Sequence, residues 1–317
     1  MQIKLRWIAL SLAIPILLIM GYYGYAFFHF AIQISNPDVR NVIDLQPAEK
    51  EPLTNQIPEW EGDERVNILL LGGDGRSDDD PGRTDTMLLV SIDPVTKKIH
   101  VFSILRDTYV NIPDHGSQKI NAAFAYGGPE LSMKTVSELV GLPIHYYFYV
   151  DLESFIKLVD SIGGVDLYVE KNMKYTDPSD KPEYQINLKE GMQHLDGNKA
   201  LQYVRFRHDA MSDYTRTERQ RKFLMAVGKK LQTTSSLVAL PNILNEIAPY
   251  IETNLDLKNM LKLAVLCYKV QTDSIVTAQL PPMELLKEET IKGAAVLVAD
   301  PGKLKEYVAK QLAGSSE

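Results

Sequence analysis

Cysteine is almost missing from this chain: Cys267 is the only one in 317 residues. That excludes an internal disulfide and any metal centre built from several thiolates. Histidine is sparse too. His100, His115, His145 and His194 stand far apart, and no H-x-x-x-H spacing occurs, which speaks against zinc. There is no G-x-x-x-x-G-K-[ST] run, so the phosphate cradle of a P-loop NTPase is lacking. Ser103, Ser132 and Ser154 lie outside any G-x-S-x-G frame, which removes the simplest serine-hydrolase arrangement. Cations are outnumbered, 34 Lys and Arg against 41 Asp and Glu, for a net charge of -7. Duplex binding rests on clustered phosphate-neutralising cations, so no nucleic-acid partner is expected.

Charge is also absent from residues 7–30, which are rich in Leu, Ile and Phe. As a helix that stretch is about 36 Å long, enough to cross a hydrocarbon core of about 30 Å. Lys4 and Arg6 precede it, while Asp38 and Arg40 follow, so the positive-inside rule keeps the N-terminus cytoplasmic. Trp7 at one end and Tyr22, Tyr23 and Tyr25 at the other suit the two interfaces. A cleaved signal peptide is the rival. The apolar stretch exceeds a typical signal core, however, and no small-x-small cleavage pattern follows. The expected division is a cytoplasmic tail (1–6), a transmembrane signal-anchor (7–30), an extracytoplasmic linker rich in Pro and polar residues (31–65) and a folded domain (66–312). The protein is expected in the cell membrane as a single-pass chain with its domain outside.

What remains has ordinary globular content, 45% hydrophobic and 24% charged. Residues 66–71, 86–92 and 99–105 read as short, nearly all-apolar strands. Asn121 is expected to cap a helix that begins at 122, restarts after Gly127-Gly128-Pro129 and runs to about 140. A strand at 146–150, a helix at 152–162 and a strand at 165–169 follow. A short helix at 197–202 leads into extended chain at 203–208, and 215–231 reads as a long helix. Beyond it, 242–250, 257–270 and 301–312 read as helices and 274–280 as a strand. Cys267 falls among apolar residues and is expected in the core. Alternating helices and strands make an α/β layered sheet the expected fold class.

If the first three strands form an antiparallel meander, the end of the first, the start of the second and the end of the third share one sheet edge. Asp74, Arg83, Asp85, Arg106 and Asp107 would then meet on one rim. Magnesium is held by one or two carboxylates with substrate phosphates completing its shell, a role open to Asp74 and Asp85. Arg83 and Arg106 would take phosphate oxygens through forked bonds. The plain reading of the same residues is turn chemistry.

A second cluster runs through Arg205, Arg207, His208, Asp213, Arg216, Arg219 and Gln220. In extended chain, Arg205 and Arg207 point the same way. Thr215 and Glu218 have capping-box spacing, which puts Arg216 in the first turn of the helix, with Arg219 and Gln220 on its face. Cations there oppose the helix dipole, and a bound anion would remove the conflict. The plain reading is a solvated basic face paired with Asp209, Asp213 and Glu218. Arg221 and Lys222 read as ordinary surface, and Phe223, Leu224 and Val227 as core. Lys119 is either a further phosphate contact or a surface lysine.

These motifs, in this order, resemble the LytR–CpsA–Psr family of cell-wall ligases. The resemblance is carried by Asn67-Ile68-Leu69-Leu70-Leu71-Gly72-Gly73-Asp74-Gly75-Arg76, Arg83-Thr84-Asp85-Thr86-Met87 and Ser103-Ile104-Leu105-Arg106-Asp107. Lys119-Ile120-Asn121-Ala122-Ala123, Arg205-Phe206-Arg207-His208 and the run from Asp213 to Gln220 complete it. It implies a central mixed β-sheet sandwiched by helices, and an activity: transfer of a glycopolymer phosphate from a polyprenyl-pyrophosphate carrier to a peptidoglycan sugar hydroxyl, as in attachment of teichoic acid or capsule. By position, Asp74 and Asp85 would hold Mg2+ or Mn2+. Arg83, Arg106, Arg205, Arg207 and Arg219 would bind pyrophosphate, with Arg216 and Gln220 nearby. An apolar tunnel for the lipid is implied as well. Leu105 stands where the family usually has proline. Two rivals remain: a polyprenyl-pyrophosphate hydrolase, and a non-enzymatic wall-polymer-binding or regulatory protein.

Overall fold

The computed structural model describes residues 2–35, 58–73, 82–176, 185–208, 213–269 and 275–314. In chain order the elements are α1 (Gln2–Ser35), β1 (Val66–Gly73), β2 (Thr84–Ile92), β3 (Ile99–Ile104), β4 (Tyr109–Ile112), β5 (Gly116–Lys119), α2 (Ala122–Val140), β6 (Tyr146–Val150), α3 (Leu152–Ser161) and β7 (Val165–Val169). They continue with β8 (Met173–Tyr175), β9 (Ile186–Leu188), β10 (Gly191–Leu195), α4 (Gly197–Arg205), α5 (Asp213–Leu231), α6 (Thr234–Ile247) and β11 (Glu252–Thr253). The chain closes with α7 (Leu257–Lys269), β12 (Ile275–Leu280), β13 (Lys287–Ile291), β14 (Ala294–Val298) and α8 (Pro301–Ala313).

The central sheet has the order β11-β6-β1-β2-β3-β12. β1, β2 and β3 form the expected antiparallel meander, while β6 and β12 join it in parallel, so the sheet is mixed. Alternation along β1 serves two cores at once. Leu69 and Leu71 face one side, where they pack with Phe124, Met133 and Val136 of α2 and Leu304 and Val308 of α8. Ile68 turns to the other side, with Tyr146, Met260, Leu263 and the end of α1. A sheet covered on both faces accounts for the near-continuous apolar strands.

The stretch expected to begin a linker at residue 31 begins instead as helix. Phe30, Ala31 and Ile34 are buried in the domain's second core beside Trp60 and Val66. Apolarity alone does not distinguish lipid from a protein core, so the sequence does not mark where one gives way to the other along α1. Among the described residues α1 is the one helix long and apolar enough to cross a membrane. Asn121 does not cap α2: its backbone is itself helical and its side chain makes no cap bond. The helix expected at 242–250 starts earlier. Thr233 accepts from the Ser236 amide, and α6 runs from Thr234 straight through Pro241. Cys267 is exposed on α7 rather than in the core, because the helix turns Met260, Leu263 and Leu266 inward.

Candidate active site

The meander brings Gly73 opposite Thr84, so the end of β1, the start of β2 and the end of β3 share an edge. Asp85 stands at that edge. Arg106, just past β3, donates to its Oδ1, and Arg207 donates to its Oδ2. Arg216, in the first turn of α5 and itself buried, places Nη1 3.9 Å from Oδ2. Three guanidiniums thus surround one carboxylate. Burial opposes ionisation of Asp85, but Arg207, Arg106 and Arg216 outweigh it and hold the carboxyl below the usual aspartate range. A second carboxylate, Asp107, links Arg106 at 3.7 Å to Lys119 at 2.7 Å. Gln220 donates to Thr86 Oγ1 at 2.8 Å.

Behind this rim lies a cavity of about 430 Å³. Its mouth is lined by Gly72, Gly73, Asp85, Arg205, Arg207, Arg216 and Gln220. Its body is apolar, bounded by Leu70, Leu88 and Phe148 of the sheet, Phe155 and Val159 of α3, and Ile243, Leu244 and Ile247 of α6. Phe223, Leu224, Val227 and Leu231 of α5 complete it. Three of these, Phe223, Leu224 and Val227, are expected as core: Phe223 is buried in one cluster with Val159 and Val204, Val227 packs against it, and all three also border the hollow. The signal was available, because 216, 220, 223, 227 and 231 repeat at helical spacing, polar above and apolar below. Glycine at position 73 leaves room for Tyr149: a Cβ there would come within 2.3 Å of its Oη, and the ring would have to shift.

Other expected site residues are placed as follows. Arg205 lines the mouth but as the last residue of α4, not in extended chain beside Arg207. The helix expected at 215 starts at Asp213, so Thr215 lies inside α5 and no capping box forms; Arg216 keeps its first-turn position. Arg219 is buried but turns away from the cavity. Its Nε donates to Glu170 at 2.7 Å and its Nη1 to the Phe206 carbonyl at 2.6 Å. Arg83 is exposed just ahead of β2 at the same edge. Asp74, and the side chain of Asp213, lie outside the described residues. Arg221, expected on the surface, donates instead to Ser103 Oγ under β3 at 2.8 Å.

Glu170 went unseen in sequence because it is 49 residues from Arg219, with no local pattern to join them. Burial raises its pKa, but bonds from its own backbone amide and Arg219 prevail and lower it. Tyr203 donates to its other oxygen at 3.1 Å, so the acid clamps α5 to α4. Leu105 also finds a reason. Its N–H donates to the Leu280 carbonyl at 2.9 Å, prolonging the β3–β12 pairing by a bond that proline could not make.

For a divalent cation, no group of three or more metal-binding side chains exists among the described residues. Two described carboxylates line the cavity; Asp151 accepts from the Ser154 amide as the cap of α3, and Asp85, a hard oxygen donor kept ionised by its arginines, is the one that fits by donor chemistry. Both of its oxygens face guanidiniums, so a cation bound there would have to displace them.

A sequence profile described as the LytR_cpsA_psr family matches residues 30–312. The chain belongs to that family. It is 40% identical over 202 residues to the polyisoprenyl-teichoic acid–peptidoglycan teichoic acid transferase TagU of Oceanobacillus iheyensis, covering 62% of this chain and 60% of that protein. It is 35% identical over 195 residues to the regulatory protein MsrR of Staphylococcus aureus (strain COL), covering 61% and 57%. The matches thus span less than two thirds of these relatives' lengths. Its fold is similar to that of the LytR-CPS2A-psr family protein YwtF (TagT) with bound octaprenyl pyrophosphate lipid. The TM-score is 0.60 and the identity 26%, over 86% of this chain and 100% of that one. The family's fold, a mixed sheet between helical layers, is the fold described above.

Proposed function

We propose that this protein moves a glycopolymer phosphate from a polyprenyl-pyrophosphate carrier to a sugar hydroxyl of peptidoglycan. The observation that carries this reading is the cavity: an apolar hollow of about 430 Å³ whose mouth is lined by Asp85, Arg205, Arg207 and Arg216. That shape and charge suit an amphiphile with an anionic head and a long hydrocarbon tail. The names borne by TagU and by the lipid-bound YwtF structure point the same way.

In the proposed reaction the acceptor hydroxyl oxygen attacks the phosphorus nearer the glycopolymer. The P–O bond to the bridging oxygen breaks, the prenyl phosphate leaves, and the hydroxyl proton passes to a base, for which Asp74 and Asp213 are the candidates. Arg106, Arg207 and Arg216 stabilise charge on the phosphoryl oxygens, the main lever in such transfers. Arg205 borders the same anion, and Arg219 holds the α5 terminus in place through Glu170. Mg2+ or Mn2+, held by Asp85 with Asp74, would add charge neutralisation there. Lys4 and Arg6 ahead of the apolar helix support a cytoplasmic N-terminus and a domain outside, on the side of the proposed acceptor.

The test uses the full chain in detergent with a synthetic polyprenyl-pyrophosphate sugar, Mg2+ and a peptidoglycan glycan. Labelled sugar phosphate should pass to the glycan, stop with chelator, and stop in folded Arg106→Ala and Asp85→Ala variants. Release of free sugar phosphate at the same rate without acceptor would mark a hydrolase instead.

A further inference from the structure

The end of the cavity farthest from the arginines is a corner of the molecule. α5 runs from Arg216 at the mouth to Leu231, fifteen residues on, a descent of about 22 Å. The chain then turns through Gln232 and Thr233 into α6. Leu231 lines the cavity and is also 38% exposed, so at this corner a single side chain borders both the hollow and the outside. Beside it Leu237 and Val238, the outward residues of the first turns of α6, are 52% and 68% exposed.

α1 fixes the height of this corner. It lies alongside α6 and runs in the same direction. Tyr23 Oη donates to the carbonyls of Leu237 at 3.2 Å and Val238 at 3.1 Å, and His29 Nδ1 is 3.2 Å from Asn245 Oδ1. Phe30 and Ala31 are buried in the same core as Ala248, just beyond α6. With the helix position of Trp7 at the inner boundary of the hydrocarbon, Tyr23 is about 24 Å higher, within a core of about 30 Å. Leu237 and Val238 are tied to Tyr23 and therefore share its level. The domain cannot stand clear of the bilayer while these bonds hold.

We infer that the α5–α6 corner is inserted in the outer leaflet of the membrane and is the portal through which the lipid tail passes between bilayer and cavity. Chemistry and direction agree. Exposed Leu and Val next to Lys229 and Lys230 suit the boundary between acyl chains and anionic headgroups. An amphiphile seated with its pyrophosphate at Arg216 would point its tail down α5 toward the leaflet it came from.

This rests on the membrane anchoring proposed above, and its readout needs no transfer activity. The full chain, with Cys267→Ser, is placed in phosphatidylglycerol-containing nanodiscs carrying one environment-sensitive fluorophore on Val238→Cys or, as control, on Met283→Cys. Met283 is exposed just past β12, whose last residue pairs with Ile104 at the Arg106 end of the sheet. Doxyl-labelled lipid should quench the Val238 probe at least fivefold more than the Met283 probe, with aqueous iodide showing the reverse. Equal iodide quenching at the two positions would overturn the insertion. The double variant Leu237→Glu, Val238→Glu should slow transfer from a bilayer-borne long-chain carrier at least tenfold yet leave a water-soluble short-chain carrier unaffected. Equal slowing of both would overturn the portal. Quenching as expected without any transfer would instead count against the proposed reaction.

Discussion

Replacing Asp85 with asparagine keeps the size of the side chain and removes its charge from among three guanidiniums. Removing the acid from a fully buried ion pair costs about 3–5 kcal/mol, whereas an exposed pair contributes about 0–1 kcal/mol. The Asp85 side chain is 27% exposed and the Arg216 side chain 2%, so the cost should fall between, at about 2 kcal/mol. For a domain of this size that lowers Tm by about 4–8 °C. Binding should move the other way. A phosphate entering the native site must draw the arginines off Asp85; in the variant they are already available. In chelator, affinity for inorganic pyrophosphate should rise about tenfold, equivalent to about 1.4 kcal/mol. Pyrophosphate at a hundred times its Kd should then raise the variant's stability by about 2.7 kcal/mol, covering the loss. With Mg2+ added, native protein should gain affinity, the variant should gain none, and transfer should vanish. Calorimetric binding and thermal melts with and without pyrophosphate read all of this. An unchanged Tm together with weaker pyrophosphate binding in chelator would refute the view that Asp85 holds the arginines in place for the phosphate.

Three further outcomes are expected. Val227→Trp should fill the cavity below the mouth, weakening a long-chain prenyl pyrophosphate at least tenfold while sparing inorganic pyrophosphate; equal loss of both in binding assays would count against a tail site. Gly73→Ala should force Tyr149 aside and cost about 1–3 kcal/mol in urea unfolding, with Tyr149→Phe in the same chain restoring part of it. Glu170 has a lowered pKa, so its contribution to stability is complete above the ordinary glutamate value of about 4.5 and fades as pH falls through its lower folded value. The stability gap between native protein and Glu170→Gln should therefore be widest near neutral pH and shrink below pH 4 in acid denaturation; a gap independent of pH would argue that Glu170 is not ionised against Arg219.

Much of this molecule follows from local pattern. The apolar run of α1, the three strands of the meander and the helical stretches 122–140 and 152–161 are set by short-range periodicity, which one stretch of chain contains whole. The meander alone was enough to put Asp85 and Arg106 on one rim, because antiparallel order dictates which strand ends meet. Contacts across distance were another matter. That Arg207 and Arg216 converge on the same carboxylate, while Arg219 one turn away turns to Glu170, depends on how α4 and α5 dock, and Arg216 and Arg219 look alike in sequence. Apolar residues are equally blind to their fate. Phe223 and Val227 have the composition of core, and only the gap left between the sheet, α3, α5 and α6 makes them a wall. The same ambiguity governs α1. Hydropathy measures escape from water, and lipid and protein interior provide it alike, so only packing reveals that its last turns belong to the domain.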